Sequence, residues 1–448
     1  MLKKILAIIF VLLFTIGISA KDLMLADLPI WYGKERFVER IEERTGGIRE
    51  PIGLVLSGGS ARAFAHIGVL RYLEEIGIVP DFIVSNSMGS IVGLLYAAGL
   101  SPDQILTITS STSLETLFDL ALPLKGGLLD SSRFLERISS ILGRDLRLED
   151  LEIPIIVTAE DLVTKRQIQI SEGDFYTVLV ASFALPVYFP PVSYQGHRLI
   201  DGGITNLVPV GIAGEFTDSI ILSTTFYENE ELNLNNPVTI LNVSFDISKR
   251  RRGIEEMKAL EDSFIWIRND VESISFMEFA KVMYLQEKGY EAAKAQSEAL
   301  EKLKRGVPVL SFAKRREALD ESIRFADRQY AAYEHLCRFD DAPALGIGIW
   351  STLGNEVRSY LINDSTLGVS YMVSKRTLSV EINGGLAFNW ARSGQMRTVP
   401  AIKTRLYYYF LDHWRVAFGG GVFYDSRKEG LLFSYDGLLE GRYSLGRI

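Results

Sequence analysis

The sequence predicts an α/β fold built on a mostly parallel central sheet, followed by a separate antiparallel β-rich segment. Three observations predict it. Between about residues 49 and 312, short β-branched runs (Ile52–Ser57, Phe82–Val84, Ile153–Ala159, Ser219–Thr224) alternate with helical stretches, the pattern of βαβ units with buried strands. From about Ala344 the period changes to two. Leu378, Val380, Ile382, Leu386, Phe388 and Trp390 alternate with polar or small residues, as do Ile402, Leu406, Tyr408 and Phe410, and then Trp414, Val416, Phe418, Val422 and Tyr424. Such alternation marks strands with one apolar face. Third, 47% apolar and 23% charged residues over 448 positions exclude a disordered or low-complexity chain.

Charge and cysteine usage narrow the function classes. The chain carries 48 basic and 56 acidic residues, a formal charge of −8, which argues against a dedicated nucleic-acid binder. The single cysteine, Cys337, permits neither an internal disulfide nor a cysteine-built zinc site. No metal motif is visible and no cofactor is expected.

Taken in order, the chain starts with Lys3 and Lys4, an apolar run from Ile5 to Ile18, and small residues at Gly17, Ser19 and Ala20. This reads as a signal peptide over residues 1–20, with an uncleaved membrane anchor as the alternative. The apolar run is shorter than the roughly 20 residues that span a bilayer comfortably. The expectation is an exported protein of the cell envelope, at the outer membrane or cell surface. Residues 21–48 read as an N-terminal lead, 49–312 as the α/β domain, 313–342 as one charged helical linker and 343–448 as the β-rich segment. That segment has strands of about ten residues with aromatics toward their ends, as transmembrane β-barrel strands do. A soluble antiparallel sheet shows the same alternation. At roughly thirteen residues per strand and turn there is room for about six to eight strands. A small barrel, or part of one completed by other chains, is therefore expected, with a homo-oligomer through these strands left open.

Two motifs in the first βαβ unit carry chemistry. Gly53 to Leu56 is a strand entering the turn Ser57-Gly58-Gly59-Ser60-Ala61-Arg62. Its glycines free backbone N–H groups at a helix N-terminus, which suits an anion: a phosphate or the oxyanion of a tetrahedral intermediate. No Gly-Lys-Ser/Thr and no G-x-G-x-x-G follows. In the second motif, Asp81-Phe82-Ile83-Val84 runs into Ser85-Asn86-Ser87-Met88-Gly89 and a small-residue helix. This is the strand–elbow–helix setting of a serine nucleophile, G-x-S-x-G with Ser85 in place of the first glycine. A plain strand-to-helix turn capped by Ser87 reads the same way.

A nucleophilic serine needs a base. Of the four histidines, His66 reads as a packed helical residue, His197 as a surface strand or turn residue, and His335 and His413 lie outside any catalytic context. A carboxylate fits better: His197-Arg198-Leu199-Ile200-Asp201-Gly202-Gly203 is a strand ending in an acid and a Gly-Gly turn, at the sheet edge where ligands gather in open α/β folds. An Asx turn is the plain alternative.

Together these motifs resemble the patatin-like phospholipase family. Leu56 to Leu70 is similar to that family's oxyanion loop and following helix, Ala181 to Val192 to the segment before its aspartate, and Ile267–Phe279 with Gly289 and Tyr290 to its closing helix. The resemblance covers about residues 50–300. It implies a three-layer patatin-like sandwich, Ser87 as nucleophile and Asp201 as base. It implies an oxyanion hole from Gly58, Gly59 and Ser60 supported by Arg62, with Ser85, Gly89, Gly202 and Gly203 as motif positions. The implied substrates are glycerophospholipids or other acyl esters. Ser60, Ala63 and Ser85 stand where the family usually has glycine. The layout also resembles secreted proteins in which such a domain precedes an outer-membrane barrel, although residues 313–342 are too short for the small domain usually found between. The alternative is a catalytically weak or silent envelope binding or assembly protein on the same scaffold. Lys249-Arg250-Arg251-Arg252 reads as a solvated loop at a helix start, or as a contact for anionic head groups.

Overall fold

The computed structural model describes residues 28–111, 118–120, 126–225, 237–260, 263–271, 273–275, 278–304 and 313–337, and the strands between 344 and 441. The expected signal segment and residues 338–342 of the expected linker lie outside the described residues. The chain divides into two compact units, Met1–Asp327 and Arg328–Ile448. Among the described residues no helix is long and apolar enough to cross a membrane.

The first unit begins with β1 (Ile30–Tyr32) and α1 (Lys34–Thr45), then β2 (Gly53–Leu56), a 3-10 turn over Ser60–Phe64, α2 (Ala65–Glu75), β3 (Phe82–Asn86), α3 (Ser87–Ala97) and α4 (Pro102–Ser111). The ribbon β4 (Asp119–Leu120) and β5 (Leu129–Asp130) precedes α5 (Ser132–Leu142). There follow β6 (Ile155–Asp161), β7 (Gln167–Ile170), α6 (Phe175–Ser182), β8 (Val192–Tyr194), β9 (His197–Asp201), α7 (Val210–Gly214) and β10 (Ile220–Thr224). The helical part contains α8 (Pro237–Ala259), β11 (Phe264–Arg268), α9 (Val282–Ala295), α10 (Ser297–Glu301) and the charged α11 (Ala313–Cys337). Nine strands form one sheet in the order β1-β7-β6-β3-β2-β10-β11, with β9 and β8 attached through β6. Pairings along β6-β3-β2-β10-β11 are parallel. Every residue of β2 and β3 is buried, as strands covered by helices on both faces must be.

Two features depart from the sequence reading. Residues 30–45 are not a lead: β1 pairs in parallel with β7, and Phe37 and Ile41 of α1 join Val55, Phe82 and Leu222 in the core. A three-residue strand is too short for periodicity to register. The basic run Lys249–Arg252 lies inside α8, not in a loop at a helix start. There Gly253 brings the helix against Val208 and Asn206.

The placement of β9 positions the site. Strand β3 pairs with β6 as far as Asn86↔Thr158. At the next residue β9 takes over the same edge, antiparallel, with Asp201 opposite Ala159, while β7 occupies the other edge at that level. The C-terminal ends of β3 and β9 therefore meet head-on over β6. The register of β9 is set by its hairpin with β8, where Tyr194 pairs with His197. The two loop residues, Gln195 (φ 46°) and Gly196 (φ 85°), both have the left-handed backbone of a tight hairpin turn whose twist matches its strands. His197 is held from both ring nitrogens, Nδ1 at 2.8 Å from Asp161 Oδ2 and Nε2 at 2.7 Å from the Tyr32 hydroxyl.

The second unit is a six-stranded antiparallel sheet in sequential order: β12 (Ala344–Glu356), β13 (Tyr360–Lys375), β14 (Leu378–Trp390), β15 (Met396–Leu411), β16 (Trp414–Asp425) and β17 (Gly430–Gly441). Among the described residues no pairing returns from β17 to β12, so the sheet is open and is not a closed barrel. The register brings the apolar stripes of the sequence onto one face: Val380 opposes Leu406, which opposes Phe418, and Ile402 opposes Val422, which opposes Phe433. That face is the exposed one, with Ile402 62%, Phe418 69% and Phe433 75% accessible, while Tyr407 and Ala417 on the other face are buried.

Helices α2 and α9 touch backbone to backbone. A Cβ on Gly68 would lie 1.7 Å from the Gln286 carbonyl oxygen, and one on Gly289 1.7 Å from that of Ala65. Gly68→Ala and Gly289→Ala are each expected to force the helices apart and cost about 1–3 kcal/mol, the usual range for overpacking. A lowered thermal midpoint in calorimetry is the check.

Candidate active site

Ser87 opens α3 directly after β3 and has φ 49°. A left-handed backbone is costly for a residue with a Cβ and persists only when its surroundings hold it; it is the elbow that lifts a nucleophile off a strand. The elbow requires Gly89, where a Cβ would lie 2.3 Å from the Ser57 carbonyl oxygen. Ser85, the departure from the glycine pattern, is accommodated inside β3 because Gly93 faces it, with a Cβ there meeting Ser85 Oγ at 3.4 Å.

The glycine loop lies against this elbow. A Cβ on Gly58 would meet Ser87 Cβ at 2.9 Å, and one on Gly59 would meet Thr225 Oγ1 at 2.0 Å. Thr225 anchors the loop from β10: its hydroxyl donates to the Gly58 carbonyl at 2.7 Å and its N–H to Ser57 Oγ at 3.0 Å. The Gly58 N–H donates to the Leu207 carbonyl at 3.1 Å. Of the three loop amides expected to face an anion, this one is thus already engaged. Ser60 has φ 51°, so its backbone adopts the conformation that glycine would supply at that point. Arg62 is fully buried and its Nε–H donates to the Ile274 carbonyl at 2.6 Å, tying the loop to the segment before α9. His66 is buried too. Its Nε2–H donates to the Ser57 carbonyl at 2.9 Å, and its Nδ1 lies 2.8 Å from the Ser223 hydroxyl. Burial drives its imidazole down to about 4, so it is a neutral strut.

Asp201 ends β9 beside Ser87. The Ser87 hydroxyl donates to Asp201 Oδ2 at 2.6 Å, and the Gly203 N–H donates to Oδ1 at 2.7 Å. Gly202 lets the turn close on β6, where a Cβ would lie 2.6 Å from the Thr158 carbonyl oxygen. The carboxyl is 4% exposed. Burial pushes its pKa up to about 6, against the hydrogen bonds from Ser87 and Gly203 and the positive charge of Lys249. An aspartate raised in this way is a stronger proton acceptor than one in water. Both nitrogens of His66 and of His197 are engaged elsewhere, so among the described residues it is the carboxylate that partners the serine.

Several residues that hold the site were missed in the sequence. Asn86 Nδ2 donates to the Asn206 carbonyl. Asn206 in turn accepts from the Val208 N–H at 3.0 Å and donates to Glu256 of α8 at 2.7 Å. The segment after Asp-Gly-Gly thereby pins the elbow and, through Leu207, the glycine loop. The contacts of Asn86 and Gly58 use backbone carbonyls, which leave no residue-type signature. Of the apolar segment read as pocket wall or core, Phe183 and Phe189 stack with each other at 5.1 Å and with Phe118. Val187 remains exposed with a left-handed backbone.

A sequence-family model described as patatin-like phospholipase matches residues 54–213. The chain is 31% identical over 193 residues to patatin-like phospholipase domain-containing protein 7 of Rattus norvegicus, covering 41% of this chain and 14% of that protein. It is 32% identical over 191 residues to patatin-like phospholipase domain-containing protein 6 of Homo sapiens, covering 41% and 14%. An uncharacterized NTE family protein of Mycobacterium bovis is 33% identical over 182 residues, covering 40% of this chain and 50% of that one. The chain therefore spans about one seventh to one half of the length of these relatives. VipD from Legionella pneumophila overlays 64% of this chain and 75% of its own with a TM-score of 0.38 and 14% identity, a likeness too loose to add to the topology described above. The elbow, glycine loop and Asp-Gly-Gly turn all lie inside the matched residues, so the part of the α/β unit over residues 54–213 is similar to the patatin-like phospholipase family.

Proposed function

We propose that this protein is a serine acyl hydrolase, a phospholipase A or esterase, that cleaves acyl esters of glycerophospholipids with a Ser87–Asp201 dyad. One observation carries the reading: a buried hydroxyl on a strained elbow donates to a buried, basic carboxylate at 2.6 Å. In this mechanism Asp201 takes the proton as Ser87 Oγ attacks the ester carbonyl carbon. The N–H groups of Gly59 and Ser60 stabilise the oxyanion, the alcohol leaves with the proton, and an acyl-serine remains. Asp201 then activates water to release the fatty acid. The likeness to patatin-like phospholipases, the apolar segment around Phe189 and Val187, and the cation of Lys249 near the carboxylate favour a lipid ester with a phosphate head group. Lys249, Gly253 and Glu256 share one face of α8, and Glu256 hydrogen-bonds the Gly211 N–H and Asn206, with Lys249 two turns away along the same face and its charge felt by Asp201. The N-terminal apolar run and the exposed apolar face of the second unit favour export and attachment to the outer membrane.

Ser87→Ala should lower turnover of a phospholipid or p-nitrophenyl ester by at least about a thousandfold and abolish labelling by a fluorophosphonate probe, with the circular dichroism spectrum unchanged. Absence of labelling in the parent protein would support the silent binding-protein reading instead.

Since the base must be ionised, kcat/KM should rise with pH around a midpoint near 6 and level off above it. Lys249→Gln should move that midpoint upward, because the cation favours the carboxylate. Asp201→Asn should be inactive yet more stable than the parent at pH 8. The carboxyl's folded pKa is raised, so its stabilising contribution is complete below its unfolded value and is lost as pH rises through about 6. Denaturant midpoints at pH 4.5 and 8 read the difference, which should shrink at the lower pH.

A further inference from the structure

The sheet of the second unit is inverted relative to a soluble one. Ile382, Ile402, Leu406, Phe418, Phe433 and Leu439 are all 45% or more exposed. The register places them on one face through Val380↔Leu406↔Phe418 and Tyr408↔Val416↔Leu439. The opposite face carries Arg405 paired with Gly419, and its Tyr407, Ala417 and Gly421 are buried. Water outside would favour the reverse arrangement; hydrocarbon outside favours this one.

The two outer strands present open edges. Soluble proteins protect such edges with charges, proline or bulges. Strand β12 has neither a charged residue nor a proline from Ala344 to Asn355, and β17 has no proline. In hydrocarbon an unpaired row of N–H and C=O groups is not tolerated. Closing six strands on themselves is no remedy. Eight already give a lumen just wide enough for side chains, and the inner face here includes Arg405 and Tyr407. With six antiparallel strands, however, β12 and β17 run in opposite directions. The last strand of one copy therefore continues the alternation when it meets the first strand of another, and their lengths of 13 and 12 residues match.

We infer that two copies of this chain close one membrane barrel of twelve strands, each pairing its β17 with the partner's β12 about a two-fold axis along the membrane normal. This arrangement leaves no open edge, keeps every apolar stripe outward and gives an even strand number within the bacterial range. It rests on the proposed membrane placement of the second unit and is independent of the catalytic reading.

The test uses the full chain with Cys337→Ser, extracted from membranes in detergent. Single cysteines are placed at alternate register positions of β12 (Gly346, Gly348 or Trp350) or of β17 (Ser434, Asp436 or Leu438), and the two sets are co-produced with different tags. The expected results are a disulfide-linked heterodimer for at least one pair and a protein mass of two chains in light scattering. A mass of one chain, a mass above two, a dimer with no β12–β17 link in the whole panel, or links only within a doubly substituted chain would each overturn the inference. Resistance to alkaline carbonate extraction is read in parallel. A single chain retained in the membrane overturns the second copy alone, whereas release from the membrane overturns the placement as well.

Discussion

The site depends on one hydrogen bond, and that bond depends on how two strands share an edge. Ser87 and Asp201 are 114 residues apart in sequence, yet each is fixed by backbone pairing to β6: one by the residue before it, at Asn86↔Thr158, the other directly, at Asp201↔Ala159. Hydroxyl and carboxylate are thus delivered to adjacent positions on a rigid ladder, with their geometry set by the sheet and not by flexible side chains. The carboxylate must also be dry to be basic. Packing among β6, the elbow and the Gly-Gly turn excludes water from it, and the same burial raises its affinity for a proton.

Around this bond the polar groups form a connected brace. Thr225 holds the glycine loop from β10, Leu207 holds it from the Asp-Gly-Gly side, and Asn86 and Asn206 join the elbow to α8. His66 is no part of the Ser87–Asp201 pair: its burial keeps it neutral and its nitrogens bind Ser57 and Ser223. The hydrogen bonds of Thr225, Leu207 and Asn86 Nδ2 brace the loop and elbow that carry two left-handed serines, Ser60 and Ser87.

How much of this was legible in the sequence follows from the kind of signal each part leaves. The elbow, the glycine loop and the Asp-Gly-Gly turn were readable because close approach demands small residues in fixed order: a Cβ on Gly58 would meet Ser87 Cβ, and one on Gly89 or Gly202 a backbone carbonyl. The strands β2, β3, β6 and β10 were readable as apolar runs. Strand β1 was not, because three residues carry no period. The role of Arg62 was visible only as support for the loop, since its partner, the Ile274 carbonyl, has no sequence signature. The engagement of the Gly58 amide by Leu207 was invisible for the same reason. In the second unit the period-two stripes foretold both strands and faces, but edge pairing is a property of neighbours, and one chain's pattern does not name them.

The β8–β9 hairpin makes the dyad answerable to a surface turn. Gln195 and Gly196 form the shortest loop that joins antiparallel strands, and His197, clamped by Asp161 and Tyr32, locks the count. Side chains alternate along a strand. One residue inserted at that bend, with β9 slipping to absorb it, would rotate the carboxylate to the far side of the sheet while leaving each active-site residue in the sequence. The Ser87–Asp201 contact can thus be broken by a change of length at a distant corner, a lesion that inspection of the motifs alone would never reveal.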